Sequence, residues 1–376
     1  MVTQTPPTTT HSQNKPDYRY KNRIIGLDIL RVLFALIIFF FHSRVHLGCE
    51  FGVLNDFFKT PMIGMTGFFM LSGYALMVAY GNKNMWEKSS IVLFYKKRFA
   101  SVYPLYFVVG FFAVLMYIIA GVQKITDNIV LIPVELLGIQ SFFNEAFFLF
   151  SHNSGTWFVS CILFCYLLFP FIKEGVSSFT VKSEVFFTLF FILLLSYIHF
   201  LPKYFDCGDI YTNPFVRLLE FVLGVVIASF NVNQSEKLKI LKIIQSWYMV
   251  LISSVLLVVC CSLSTPFKYL LMYFCLTVVF LTMGMEKNSG NQKNYGILLY
   301  ASKISYAFFL GQFFVWNPLK FIQLKVGAFS NVTKITVSFV LCCVISIILY
   351  EFVEKRLGDI VKKKLLYAHR KEDVSR

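Results

Sequence analysis

Charge is scarce in this chain: 15% of its 376 residues are Asp, Glu, Lys or Arg, against 57% hydrophobic residues. With a mean hydropathy of +0.66, that scarcity excludes both an ordinary water-soluble domain and a disordered chain. Glycine and proline, at 20 and 11, are too few and too scattered for a collagen-like or low-complexity sequence. Acidic residues number 20 against 35 Lys and Arg, giving a net charge of +15. No nucleic-acid-binding motif accompanies the excess, so no nucleic-acid partner is expected. The cations instead gather at the ends of apolar runs, where they orient spans and attract anionic lipid headgroups.

Cysteine and histidine are also too thinly arranged for a metal centre. Seven of the nine cysteines (Cys161, Cys165, Cys260, Cys261, Cys275, Cys342 and Cys343) lie within apolar runs as small hydrophobes. Only Cys49 and Cys207 fall in predicted outer loops, which leaves one pair able to form a disulfide. His42 and His46 have a ligand-like i, i+4 spacing, but no carboxylate or thiol on that segment completes a set, and no metal is expected.

What the chain has in quantity is long apolar runs, rich in its 44 Phe. At about 20 residues per crossing, they predict spans at about 24–43, 61–81, 103–122, 156–173, 184–200, 213–230, 246–263, 267–283, 297–317 and 333–353. The expected fold class is therefore all-α, a polytopic transmembrane helical bundle of about ten spans with both termini cytoplasmic. Residues 1–22, rich in Thr and Pro and without the apolar core of a signal peptide, are expected to be a disordered cytoplasmic tail. The membrane domain then covers 23–357, and 358–376 is a basic cytoplasmic tail. The stretch Ile129 to Phe143 is short and holds Pro133 and Glu135, so it reads as an interfacial or re-entrant part of an outer loop. Counting it as a span would move the later basic clusters outside.

Ionisable groups within a bilayer cost about 2.5–3.5 kcal/mol at mid-helix on insertion scales, so those inside spans mark where to look for function. Asp28, Arg31 and His42 interrupt the first span. Arg31 and His42 are eleven residues apart, close to three helical turns, so they share one stripe with about 16 Å of rise between them. Asp28 and Arg31 can pair at i, i+3, or both can sit at the interface as snorkelling side chains. The second span carries Gly64, Gly67 and Gly73, which allow close helix approach, with Ser72 and Tyr74 as hydroxyls. Lys96, Lys97 and Arg98 precede Tyr103-Pro104 at the start of the third, where they either fix topology or hold phosphates. Arg217 and Glu220 in the sixth span either neutralise each other or orient His42, and Glu354 at the end of the last can meet the inner basic cluster.

In their order along the chain, these segments resemble the acyltransferase-3 family of polytopic membrane acyltransferases, many of which O-acetylate surface polysaccharides. GLDILRVLFALIIFFFHS is similar to the family's opening segment, with Arg31 and His42 at its Arg-x10-His pair. GFFMLSGYAL resembles the second-helix Phe-x-Leu-Ser-Gly motif, KKRFASVYPLY the arginine-rich approach to the third helix, TWFVSCILFCYLLFP the Trp-Phe segment and VRLLEFVLGVVIA the Arg…Glu-Phe-x-x-Gly segment. ISYAFFLGQFF and FVEKRL match in position. Two positions depart. Ser101 stands where a second arginine is expected, shifting phosphate gripping toward Lys96 or Lys97. Gln312 stands where the late Leu-x-His pattern has histidine, and neither departure is expected to touch His42.

The resemblance implies acetyl-CoA as acyl donor with no tightly bound cofactor, and a polysaccharide or lipid-linked glycan as acceptor in the bacterial cytoplasmic membrane. It gives His42 the role of general base or transient acyl carrier, with Arg31, Arg217 and Glu220 as further catalytic candidates and Arg217 or Ser72 as oxyanion donors. Arg98, Lys97, Lys96, Arg31, Ser72 and Tyr103 are the expected CoA contacts. A transporter or flippase of lipid-linked glycans would also line a bundle with charge, although the two halves of the chain show no evident repeat.

Overall fold

In hydrocarbon every backbone N–H and C=O must be satisfied within its own segment, and the apolar runs accordingly fold as helices. The computed structural model describes residues 23–121, 128–143, 155–203, 209–232, 246–262, 267–284, 295–327 and 329–374, and no strand occurs among them. The expected N-terminal tail, 1–22, and Cys207 lie outside the described residues.

The helices are α1 (Ile25–Leu47), the one-turn α2 (Asn55–Phe58), α3 (Met62–Tyr80), α4 (Lys88–Ile119), α5 (Asn128–Leu137), α6 (Trp157–Ser177), α7 (Val181–Ile198) and α8 (Pro214–Val232). They continue with α9 (Trp247–Ser262), α10 (Lys268–Met283), α11 (Gly296–Gly311), α12 (Phe313–Val326), α13 (Asn331–Ile348), a π-helical stretch Leu349–Lys355 and α14 (Arg356–Val374). The protein is an all-α, multi-pass membrane bundle. Seven described helices are long and apolar enough to cross a bilayer, and α11 with α12, bent by 51°, make an eighth as a broken span. Two more of the ten expected segments, α9 and α10, are helical but only 16 residues long.

Two boundaries differ from those expected. α4 starts at Lys88 rather than near Tyr103, with Pro104 inside it. Lys and Arg are good helix formers, and the 32 residues of α4 span roughly 48 Å, well beyond a hydrocarbon core of about 30 Å. Its basic first turns therefore project past the apolar layer, where α14 packs along them. The last span likewise runs on through the π-helical stretch into α14, so the basic segment from 358 is helical as far as Val374. The 129–143 stretch is the ten-residue α5 followed by a 3₁₀ turn, Gln140–Phe143.

The centre of the bundle is α3 against α8. The two backbones meet at facing glycines: a Cβ on Gly224 would lie 2.0 Å from the Met70 carbonyl oxygen, and one on Gly73 would lie 2.1 Å from that of Phe221. Small residues of this kind let membrane helices pack by van der Waals contact where no hydrophobic driving force separates helix from lipid. The rim is the reverse. α7 turns Phe186, Leu189, Phe190 and Leu193 outward, as a lipid-facing surface requires.

Candidate active site

The pairing of α1 with α11 fixes the site. Both run in the same direction: Arg31 Nη1 donates to Ser302 Oγ at 3.4 Å near one end, and ten residues further along α11 Gln312 Oε1 lies 2.7 Å from His42 Nδ1. Ser302, Ser305, Phe309 and Gln312 recur at helical spacing on α11 and so form a stripe beside the Arg31–His42 stripe of α1.

At the Arg31 end a cavity of about 360 Å³ opens between α1, α3, α4, α6, α11 and the π-helical stretch. Its polar wall holds Arg31, Arg98, Lys303 and Glu354, and its apolar wall includes Met65, Phe68, Phe158 and Phe309. Asp28 does not consume Arg31. Arg23 donates to both Asp28 carboxylate oxygens at 2.6 and 2.7 Å, Ser302 donates at 2.5 Å, and Arg31 stands off at 3.9 Å. The i, i+3 pair anticipated from the sequence is therefore secondary to Arg23–Asp28, which leaves the Arg31 guanidinium directed at the cavity. Arg98 lies over the rings of Phe94 and Tyr166 at 6.0 and 5.9 Å, with a buried Nε that has no hydrogen-bond partner among the described residues. Glu354 also presents a buried Oε2 without a hydrogen-bond partner among the described residues, on a π-helical segment of the kind often found at functional sites.

The expected CoA contacts divide at this wall. Arg31, Ser72 and Arg98 line the cavity, whereas Lys96, Lys97 and Tyr103 do not. Tyr103 donates to the Leu136 carbonyl at 2.8 Å, outside the cavity. The cation that lines this wall together with Ser101 is Lys303 rather than Lys96 or Lys97. Lys303 lies just ahead of the resembling ISYAFFLGQFF stretch and was passed over, although a lone cation inside the predicted span 297–317 is the signal that could have found it. Of the inner basic cluster that Glu354 was expected to meet, Arg98 shares its cavity and Lys96 and Lys97 do not.

Arg217 and Glu220 form a closed assembly elsewhere, in the α3–α8 core. Both are 0% exposed. Arg217 Nη1 donates to Glu220 Oε2 at 2.6 Å, while Thr66 and Tyr273 hydroxyls donate to Oε1 at 2.7 and 2.9 Å. The remaining guanidinium edge donates to the Tyr211 carbonyl at 2.8 and 2.6 Å, and Phe69, Trp157 and Tyr211 rings surround it. The structure does not bring this pair to His42, and its donors are occupied, so it offers nothing to an oxyanion there. Of the two alternatives left open by the sequence, mutual neutralisation is the one the packing matches. Ser72 is spent in a similar way, its hydroxyl donating to the Phe68 carbonyl at 2.8 Å.

His42 is half-buried, with the His46 ring centroid 5.8 Å away and His46 stacked in turn on Trp316. Its hydrogen-bond partner is Gln312, so the expectation that the late departure leaves His42 untouched is overturned: α11 brings that position back beside α1. Among the described residues no cluster of His, Cys, Asp and Glu forms a metal site.

Residues 24–351 match the family model described as an acyltransferase domain, Acyl_transf_3. Acyltransferase MdmB of Streptomyces mycarofaciens is 28% identical over 182 residues, 44% of this chain. The match spans 46% of that relative's own length, under half. No solved structure matches the chain. A family match over nearly the whole bundle, in a chain with apolar helices long enough to cross a bilayer, has one conclusion: the chain belongs to the acyltransferase-3 family.

Proposed function

We propose that the protein transfers an acyl group, acetyl in the simplest case, from the thioester of a cytoplasmic acyl-CoA to a hydroxyl of a surface polysaccharide or its lipid-linked precursor, in the cytoplasmic membrane of a bacterium. The observation that carries this reading is the α1–α11 pair, which sets a cation-lined cavity and an imidazole on one continuous stripe. Arg31, Arg98 and Lys303 suit the phosphates of the donor, Arg through planar paired donors and Lys as a point charge. The flexible arm of the donor then follows Ser305 and Phe309 toward His42, over about 16 Å of helix.

At His42 the acceptor hydroxyl gives its proton to the bare ring nitrogen as its oxygen attacks the thioester carbonyl. The carbon–sulfur bond then breaks, and the imidazolium returns the proton to the departing thiolate. A two-step route serves the same geometry: the ring nitrogen attacks the carbonyl and the thiolate leaves, then the acceptor oxygen displaces the acyl group from the acyl-imidazolium as the hydroxyl proton passes to the thiolate, leaving ester, free thiol and neutral imidazole.

The test is transfer of labelled acetyl from acetyl-CoA to glycan by membranes carrying either the native chain or His42→Ala at equal abundance. Label should reach glycan with the native chain and not with the variant. Transfer that survives loss of His42, or a folded native chain that neither binds acetyl-CoA nor moves label, would overturn the reading.

A further inference from the structure

A histidine that exchanges protons with substrate must present the right ring nitrogen, and in a neutral imidazole only one nitrogen bears a proton. The group facing His42 Nδ1 at 2.7 Å is an amide oxygen, Gln312 Oε1, which accepts hydrogen bonds and never donates them. The contact therefore requires the proton on Nδ1 and leaves the Nε2 lone pair bare. Gln312 is well placed to impose this. It is 1% exposed, so water does not compete for its amide. Its backbone is pinned at the 51° break between α11 and α12, its carbonyl accepting from the amides of Val315 and Trp316 at 2.9 and 3.0 Å. Its Nε2 is buried without a partner among the described residues, where no second side chain draws the amide away from the imidazole.

We propose that Gln312 is a positioning residue that holds His42 in its Nδ1–H tautomer and aims the bare Nε2 at the reacting groups. The inference rests on the acyl-transfer reading for its purpose, but the contact has a readout of its own. Residue 312 enters the reaction only through His42: it touches the ring and does not line the donor cavity.

The experiment compares the full-length native chain, Gln312→Leu and Gln312→Glu in lipid nanodiscs. Leu keeps similar bulk without an acceptor, and Glu keeps an oxygen where the amide oxygen stands. Nitrogen-15 spectra of histidine-labelled protein, with His42 assigned by its loss in His42→Gln, report which ring nitrogen is protonated. Steady-state transfer with acetyl-CoA separates kcat from KM. The native spectrum should show Nδ1–H. Gln312→Leu should lose that tautomer and about 10- to 100-fold in kcat with KM changed less than about 2-fold, while Gln312→Glu keeps kcat within about 5-fold.

An Nε2–H tautomer in the native chain, equal losses in the Leu and Glu variants, or a loss confined to KM would overturn the proposal. A native chain that shows the tautomer, loses it in Gln312→Leu and transfers no acyl group would sink the acyl-transfer reading and leave the contact standing.

Discussion

Replacing Glu220 by alanine removes an acceptor shared by three donors and strands the Arg217 guanidinium in a site with no exposure to solvent. Breaking a buried ion pair from one side costs about 3–5 kcal/mol, because the surviving charge keeps its desolvation penalty and loses its compensation. Here the lower end applies. Arg217 retains two hydrogen bonds to the Tyr211 carbonyl and three aromatic faces with centroids 5.0 to 5.7 Å away, so about 3 kcal/mol is expected. Glu220→Gln keeps an acceptor for Thr66 and Tyr273 and should fall between native and alanine. The double replacement Arg217→Met with Glu220→Met removes both charges and should cost far less than the sum of the two single changes, with a coupling of at least about 2 kcal/mol. Thermal unfolding of the detergent-purified protein reads this as a Tm loss of about 6 °C or more for Glu220→Ala, at 2–4 °C per kcal/mol. A Glu220→Ala shift under about 2 °C, or additivity in the cycle, would refute the view that the pair is a structural unit.

Two further outcomes follow from the geometry. Gly224→Ala places a methyl 2.0 Å from the Met70 carbonyl oxygen, over an ångström inside normal contact; α3 and α8 must part, at about 1–3 kcal/mol or more, and native-like stability in a thermal scan would argue against the backbone contact. Arg98→Ala should weaken CoA binding by calorimetry about 10- to 100-fold, the worth of one or two charge-assisted hydrogen bonds, while Lys97→Ala, outside the cavity, should change it less than about 2-fold; the reverse order would place the phosphates elsewhere.

Much of this site was legible along single helices and little of it between them. The Arg31–His42 stripe needs only the helical period, and the α3 glycines announce a close approach without naming the partner. α8 supplies that partner through Gly224, the glycine of the Glu-Phe-x-x-Gly segment, which the resemblance marks by position without saying what it packs against. Spacing also paired Asp28 with Arg31, because i, i+3 neighbours are visible in a sequence, whereas the closer Arg23 lies just ahead of the first helical residue and curls back. Gln312 read as an absence, a missing histidine. Its contact depends on the parallel register of two helices some 270 residues apart, which no local pattern encodes. The third span was started late because proline favours first turns, and α4 instead carries Pro104 in its interior.

The parallel course of α1 and α11 has a consequence for selectivity. Tied at Arg31–Ser302 and at His42–Gln312, the two rods hold the basic cavity and the imidazole at a set separation, as the jaws of a gauge are held by its bar. In the proposed reaction a donor is then measured by the length of its tether, from anionic head to reactive carbonyl, before its acyl group is read at all. A small acyl phosphate, whose carbonyl sits against its own phosphate, engages one jaw and falls short of the other, while carriers sharing one arm length fit the same gauge whatever acyl group they bear.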